Sequence, residues 1–497
     1  MSKASEHGRF FYPEVYIKDN KIIRENLSEG DIDYFELTQW SFNDEFLSFL
    51  QQSKLIDFAD STYPNPRSKT EVPIWFLLHC QFVLKINSSS SYRNLPYFLN
   101  SGAVLSKIGF NLSSMEIGFN KKNRSKRNMP VHQDTVRKFF KSSNNLQVRE
   151  WYNSNIQSWF KSKKCFNKDG LFIIDQSHVV VPKNSNYKDA VYMPVDEYGH
   201  FYKDNQGPPH LCYTLSILLH IDKKQDTLHI AGYEWGAGNE DELPQAEKLV
   251  YNFNNRFPNV MKELIADRGY ISANFINNLK GNYNVDVLTP LKNNMDNYKD
   301  AVSIASRSEW SVTFKDEKEE IQAVNIGKMD LWDGLKYKQT VTVCKKTFQN
   351  KDKEKIWVLA STKQYKDPAS VIARYKLRWS IEERYRQFKK FWKLDKFSSP
   401  DKSLIEAHIC FTLFTYSLLQ QYLKRSDLQL LANKAIQTMK MDEASGNDNV
   451  VIYKNNNFGV ISLNEYTQAI IGLQEEAKKR LSETASIIGE FKKNKNY

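Results

Sequence analysis

The sequence predicts an α/β protein, with a sheet-bearing unit over residues 166–400 set between a helical N-terminal region, 1–165, and a helical C-terminal region, 401–497. Three observations predict this. Apolar and alternating runs four to ten residues long interchange with helical periods from about residue 168 to 290, as in α/β units. From 293 to 366 the texture turns to short β-prone pieces. On either side, the apolar residues recur at helical spacing.

In the N-terminal region, 74–84 and 97–105 read as amphipathic or buried helices, and a polar linker after Gly109 carries Lys121, Lys122, Arg124, Lys126 and Arg127. Pro130 precedes a further helix start at His132. In the central unit Leu171-Phe172-Ile173-Ile174-Asp175 is a continuous apolar run ending in an acid, the pattern of a buried strand that delivers a side chain at its end. Residues 213–221 and 227–233 read as a hairpin joined at 222–226. A helix follows over 242–253. Glu263-Leu264-Ile265-Ala266-Asp267-Arg268-Gly269-Tyr270 is then a short strand, an acid and a glycine turn into a helix capped by Ser272. Residues 285–288 form one more strand, and four β-prone pieces (310–314, 320–325, 337–344 and 356–360) follow it. After Asp395, residues 402–440 and 463–492 read as helices.

The most informative stretch runs from Tyr375 to Lys389. Asp367-Pro368 supplies an N-cap and a proline at the first helical position, and neither Gly nor Pro recurs for two dozen residues. At about 100° per residue, Tyr375, Arg378, Glu382 and Lys389 share roughly a 60° arc of one helix face. Leu377, Ile381, Tyr385, Phe388 and Trp392 form an apolar stripe about a quarter turn away. Such a helix packs by one stripe and presents a carboxylate between an arginine and a lysine on the other. By spacing alone that face also fits a solvated surface with an Arg378–Glu382 ion pair. Two strand-end aspartates and a helix-borne glutamate, however, make a hard, oxygen-only set of the kind Mg²⁺ favours.

Together these residues resemble the DDE transposases of the insertion-sequence-four family, relatives of the bacterial transposon-five enzyme. The resemblance rests on Asp175 in its apolar run, the Asp267-Arg268-Gly269-Tyr270 box, and the complete signature Tyr375, Arg378, Glu382, Lys389. It covers a little under half of the chain, from about Leu171 to Trp392. It implies a ribonuclease-H-like catalytic core in which the first and fourth strands are neighbours and bring Asp175 and Asp267 together. A β-rich insertion at 293–366 would precede the glutamate helix. It also implies cut-and-paste chemistry: binding of transposon ends, metal-dependent cleavage, and joining of 3′ ends to target DNA.

The same resemblance implies two Mg²⁺ ions, for which Mn²⁺ substitutes, with Asp175 bridging both, Asp267 on one and Glu382 on the other. Arg378 and Lys389 would hold the DNA backbone, and Tyr375 would donate to a phosphate. Trp379 would hold a flipped base, with Trp332 or Trp357 as a second wedge. Arg268 and Lys292 are further expected DNA contacts, and the basic run at Lys121, Lys122, Arg124, Lys126 and Arg127 is expected to touch phosphates. His178 is read as a hydrogen-bonding neighbour of the acids. Two other readings use the same residues: a nuclease or resolvase that cuts without joining, and a domesticated DNA-binding protein.

Composition agrees with a polyanionic partner. The 497 residues carry a net charge of +12, and 41% are hydrophobic, with pI near 9.1. Double-stranded DNA, as inverted repeats and target, and a second copy in a synaptic dimer are the expected partners. Cys80, Cys165, Cys212, Cys344 and Cys410 are scattered without a CxxC pair, which argues for a reducing compartment and against a zinc site. No apolar leader follows Met1, and the apolar stretches near 75–84 and 409–419 are too short and too polar to span a membrane. A cytoplasmic, nucleoid-associated protein of a prokaryotic cell is expected.

Overall fold

The run Leu171-Phe172-Ile173-Ile174 is apolar throughout, with an aromatic and two β-branched residues, so it forms a strand that buries both faces, and all four side chains are fully covered. It opens the larger of two compact units, Arg149–Lys402; the other comprises Met1–Val148 with Ser403–Tyr497. The computed structural model describes residues 17–38, 42–68, 72–95, 131–183, 186–202, 206–224, 227–315, 319–329, 332–348, 351–425, 449–455 and 457–483. The run 97–105 and the basic linker with Lys121, Lys122, Arg124, Lys126 and Arg127 lie outside them.

In the larger unit the elements are β1 (Leu171–Val180), β2 (Val191–Met193), β3 (His210–Asp222), β4 (Thr227–Ala237), α1 (Glu242–Arg256), β5 (Glu263–Ile265), α2 (Ala273–Tyr283) and β6 (Asp286–Pro290). These are followed by α3 (Asp296–Ala305), β7 (Ser311–Lys315), β8 (Glu319–Met329), β9 (Gln339–Phe348), β10 (Lys351–Ser361), α4 (Pro368–Lys376) and α5 (Trp379–Lys390). One ten-stranded mixed sheet runs β2-β3-β1-β5-β6-β10-β9-β8-β7, with β4 also paired to β3. The β1–β5 and β5–β6 pairs are parallel, whereas β1–β3 and β3–β4 are antiparallel. Phe172 and Ile174 pack with Leu249, Phe253, Phe275 and Leu279 of α1 and α2. Side chains alternate along a strand, so Ile173 and Asp175 point to the opposite face. Helix α5 lies there: Tyr385 Oη donates to the carbonyls of Asp175 (2.7 Å) and Leu215 (2.9 Å).

Four sequence expectations change. Strand β1 does not end at Asp175 but continues to Val180 against β3. What ends there is its parallel partner, since the last β1–β5 pair is Ile173–Ile265. The β-rich segment opens with helix α3 and extends the main sheet, because β10 pairs antiparallel with β6. The long helix expected after Asp367 is two helices. At the joint, Leu377 and Arg378 donate to the carbonyls of Arg374 (3.2 Å) and Tyr375 (2.9 Å), tighter i→i−3 bonds that no proline or glycine announces.

The fourth change is in the smaller unit, whose terminal regions are not purely helical. Asn449–Lys454 and Asn457–Ser462 form a hairpin flanked by Ile17–Lys18 and Tyr34–Thr38 in a four-stranded sheet. The Val450–Tyr453 run is hidden in sequence by the surrounding Asn and Asp residues, yet one of them makes the turn. Asn455 adopts φ +43° and its N–H donates to Asp33 Oδ2 (2.8 Å). Helix Ile74–Ile86 is buried along nearly its whole length, and Phe82 packs on Phe411 and Phe414 of helix Lys402–Arg425. No helix among the described residues is long and apolar enough to cross a membrane.

Candidate active site

The β1–β5 register places two acids side by side. Asp175 lies two residues beyond Ile173 and Asp267 two beyond Ile265, so each projects on the same face as its paired isoleucine. Helices α4 and α5 cross that face and bring the third acid. Arg378, at their joint, stands among all three: Nη1 is 3.8 Å from Asp175 Oδ2 and 3.6 Å from Asp267 Oδ2, and Nη2 is 2.5 Å from Glu382 Oε1. Tyr375 is 7% exposed and its hydroxyl donates to Asp267 Oδ1 at 3.4 Å. Of the signature residues it therefore faces an acid rather than solvent.

Burial pushes the Asp175 carboxyl up to about 7, with Arg378 pulling it down and Asp267 adding to the rise. Carboxylate oxygens are the hard donors that suit a divalent cation, and Asp175, Asp267 and Glu382 each reach toward Arg378. The acids stand around the guanidinium rather than around one another. Among the described residues, no three His, Cys, Asp or Glu side chains are grouped closely enough to hold an ion by themselves.

The raised carboxyl has a consequence for stability. Asp175 ionises from a reference of 3.8 in the unfolded chain and near 7 in the fold, so the folded state keeps its proton over that interval. Its stabilising contribution is complete below about 3.8 and is lost as pH rises through about 7. Asp175→Asn is expected to flatten this fall and to raise stability at pH 8 by about 1–4 kcal/mol in metal-free buffer. Urea unfolding at pH 5 and pH 8 measures it; the parent pH dependence persisting in the variant would contradict the assignment.

The remaining predicted residues are dispersed around this cluster. Lys389 is turned inward: Nζ donates to Ser177 Oγ (2.8 Å) and the Tyr198 carbonyl (2.7 Å), and burial lowers its pKa to about 8. Trp379 is 69% exposed, and Arg268 and Lys292 are exposed at the mouths of β5 and β6. Trp332 is packed beside the α1–α2 core, and the Trp357 ring meets Tyr375 edge-on at 5.1 Å. His178 is buried, with Nε2 3.1 Å from the Gly238 carbonyl oxygen.

Two features escape the sequence reading. Glu263 is 1% exposed and is met by Arg374 Nε (3.0 Å), Lys363 Nζ (3.1 Å) and the Tyr365 hydroxyl. Arg374 also grips Asp169 with Nη1 (2.8 Å) and Nη2 (3.0 Å). This strut ties α4 to β5 and to the start of β1. The only signal in sequence was a charged residue opening an apolar strand. The second is Glu242, whose carboxylate fills the space a Cβ at Gly269 would take, so any side chain there would push that carboxylate aside. Burial, then Asp267, raises the Glu242 pKa.

Comparison with known proteins places the chain in a family. No curated protein matches it. Among solved structures it is similar to the piggyBac transposase in a cryo-EM synaptic complex with hairpin DNA. That match has 10% identity, covers 96% of this chain and 87% of that one, and has a TM-score of 0.40, a likeness too loose to bear on the site. The family model described as "Transposase DDE domain" matches residues 167–418, just over half of the chain and all of the acid cluster. The chain therefore belongs to the transposase DDE domain family.

Proposed function

We propose that this chain is a cut-and-paste transposase that binds the ends of a mobile DNA element, cleaves them, and joins the 3′ ends to target DNA. The observation that carries the reading is the convergence of Asp175, Asp267 and Glu382 on Arg378. The antiparallel β4-β3-β1 meander continued by parallel β5 and β6 supports a ribonuclease-H-like core. The net charge of +12 supports double-stranded DNA as partner, and two DNA ends call for a homodimer.

Asp175, Asp267 and Glu382 would hold the divalent cations, Mg²⁺ with Mn²⁺ as substitute. Bound there, the cations supply charge neutralisation at the scissile phosphate and an activated water or 3′-hydroxyl. The chain's own groups prepare that site. Tyr375 fixes the orientation of Asp267, and Tyr385 ties the Asp175 backbone to α5. Arg378 offers a planar fork that fits phosphate as well as carboxylate. Its place among the acids puts a cation beside the scissile strand. Trp379, exposed and next to Arg378 in the chain, would hold a base.

Incubating pre-cut element ends with supercoiled plasmid in Mg²⁺ tests the reading. Joined end–plasmid products are expected. Cutting of an uncut end duplex with no joined product from the pre-cut ends would leave a nuclease and remove strand transfer from the proposal.

A further inference from the structure

The strands that carry the two aspartates start at an end of the sheet that is rich in lysine. The register sets Ile221, Leu171, Glu263 and Asp286 in one row across β3, β1, β5 and β6. The chain around this row, at 163–170, 223–224 and 260–262, carries Lys163, Lys164, Lys168, Lys223, Lys224 and Lys262, all exposed. Asp175 and Asp267 come four residues after Leu171 and Glu263. The acids therefore stand about 13 Å up the strands from the row.

These loops are tied to one another. The Gly170 carbonyl accepts from the N–H groups of Lys262 (2.8 Å) and Glu263 (3.1 Å), and Asn167 Nδ2 donates to the Ile221 carbonyl at 3.5 Å. Gly170 has φ +59°, and a Cβ there would sit 2.5 Å from the Val260 carbonyl oxygen, so a side chain would force the loops apart. The acids of this end are already matched. Arg374 grips Asp169, Glu263 is buried against Arg374 and Lys363, and Asp286 Oδ1 meets Lys280 Nζ at 2.8 Å. Among the described residues, none of the six lysines forms an ion pair. Six exposed ammonium groups left unanswered by acids point to a polyanion.

We infer that this lysine rim is a second contact for duplex DNA, holding a segment other than the one at the acids. The choice of DNA among polyanions rests on the reading of the acid cluster as a DNA-cutting site. The choice of a duplex follows from the surface. None of the exposed large apolar side chains of the described residues lies in these loops. Trp159 and Phe257 are 7% and 3% exposed, lying under Lys163 and Lys161 with Nζ 5.4 Å from each ring centre. Unpaired strands are held by stacking on open rings and lipid surfaces by inserted apolar side chains, and the rim offers neither. Phosphates need only charge. The row is roughly 14 Å wide and faces about eight phosphate charges of a duplex, counted over both strands.

The test measures binding of the full chain to a duplex of arbitrary sequence by anisotropy, without divalent metal, between 50 and 200 mM salt. Combining Lys163→Gln, Lys164→Gln, Lys223→Gln and Lys224→Gln should weaken binding about 10–100-fold at the lowest salt. It should also lower the slope of log K against log salt by about 2–4. Arginine at the same four positions should keep both, which separates charge from a folding defect. An unchanged slope in the glutamine variant would overturn the rim, and a parent that binds the single strand more tightly than the duplex would overturn its occupant. The glutamine variant should still cut a saturating short end duplex in Mg²⁺ within about threefold of the parent. Loss of cutting there would place these lysines at the acids and overturn a second contact. A parent that cuts no ends yet loses slope in the glutamine variant would leave the rim standing and remove the cutting site.

Discussion

Glu382→Gln is expected to lower cleavage of DNA ends in Mg²⁺ by about 10³-fold or more, while duplex binding stays within about threefold. The substitution keeps the side-chain shape and an oxygen that accepts from Arg378, now 2.5 Å from the carboxylate. Only the negative charge is removed, and with it one of the three carboxylates proposed to hold the cations. Where catalysis consists of positioning and charge neutralisation around a phosphate, losing a ligand removes transition-state stabilisation and spares ground-state binding. A labelled end duplex reads cutting on a denaturing gel and binding by anisotropy. Cleavage within tenfold of the parent would take Glu382 out of the acid set.

Arg374→Ala is expected to destabilise the larger unit by about 3 kcal/mol, a large share of the roughly 5–15 kcal/mol that holds a domain folded. The cost arises because Glu263 is 1% exposed and loses one of its two cationic partners, while Asp169 loses both of its guanidinium hydrogen bonds. Arg374→Lys keeps the charge but not the two-sided grip and falls between the two. Urea unfolding measures the series, and a loss below about 1 kcal/mol for alanine would mean the strut carries no weight. Because Tyr375 is the next residue, the alanine variant also loosens the hydroxyl on Asp267.

The acids were legible in the sequence because each stands where local physics marks it. Asp175 interrupts an apolar run, Asp267 sits between a strand and a glycine turn, and Glu382 lies in a Gly- and Pro-free helical stretch between Arg378 and Lys389. Helix starts were equally local: Ser272 Oγ accepts from the Phe275 N–H and Asp367 Oδ1 from the Ser370 N–H, as their positions predict. Long-range pairing was not legible. Nothing near residue 351 says that β10 pairs with β6, and nothing near Asn449 says that a hairpin there pairs with strands more than 400 residues earlier.

Sequence by itself singled out the three acids that the proposal assigns to the chemistry and predicted an α/β sheet to present them, since apolar period and turn residues act over a few neighbours. Only the tertiary structure decided that the β1–β5 register sets Asp175 beside Asp267, that a tightened turn aims Arg378 at all three acids, and that Lys389 bonds inward. Register, helix joints and the partners of long side chains depend on contacts between segments far apart in the chain, which no local pattern encodes.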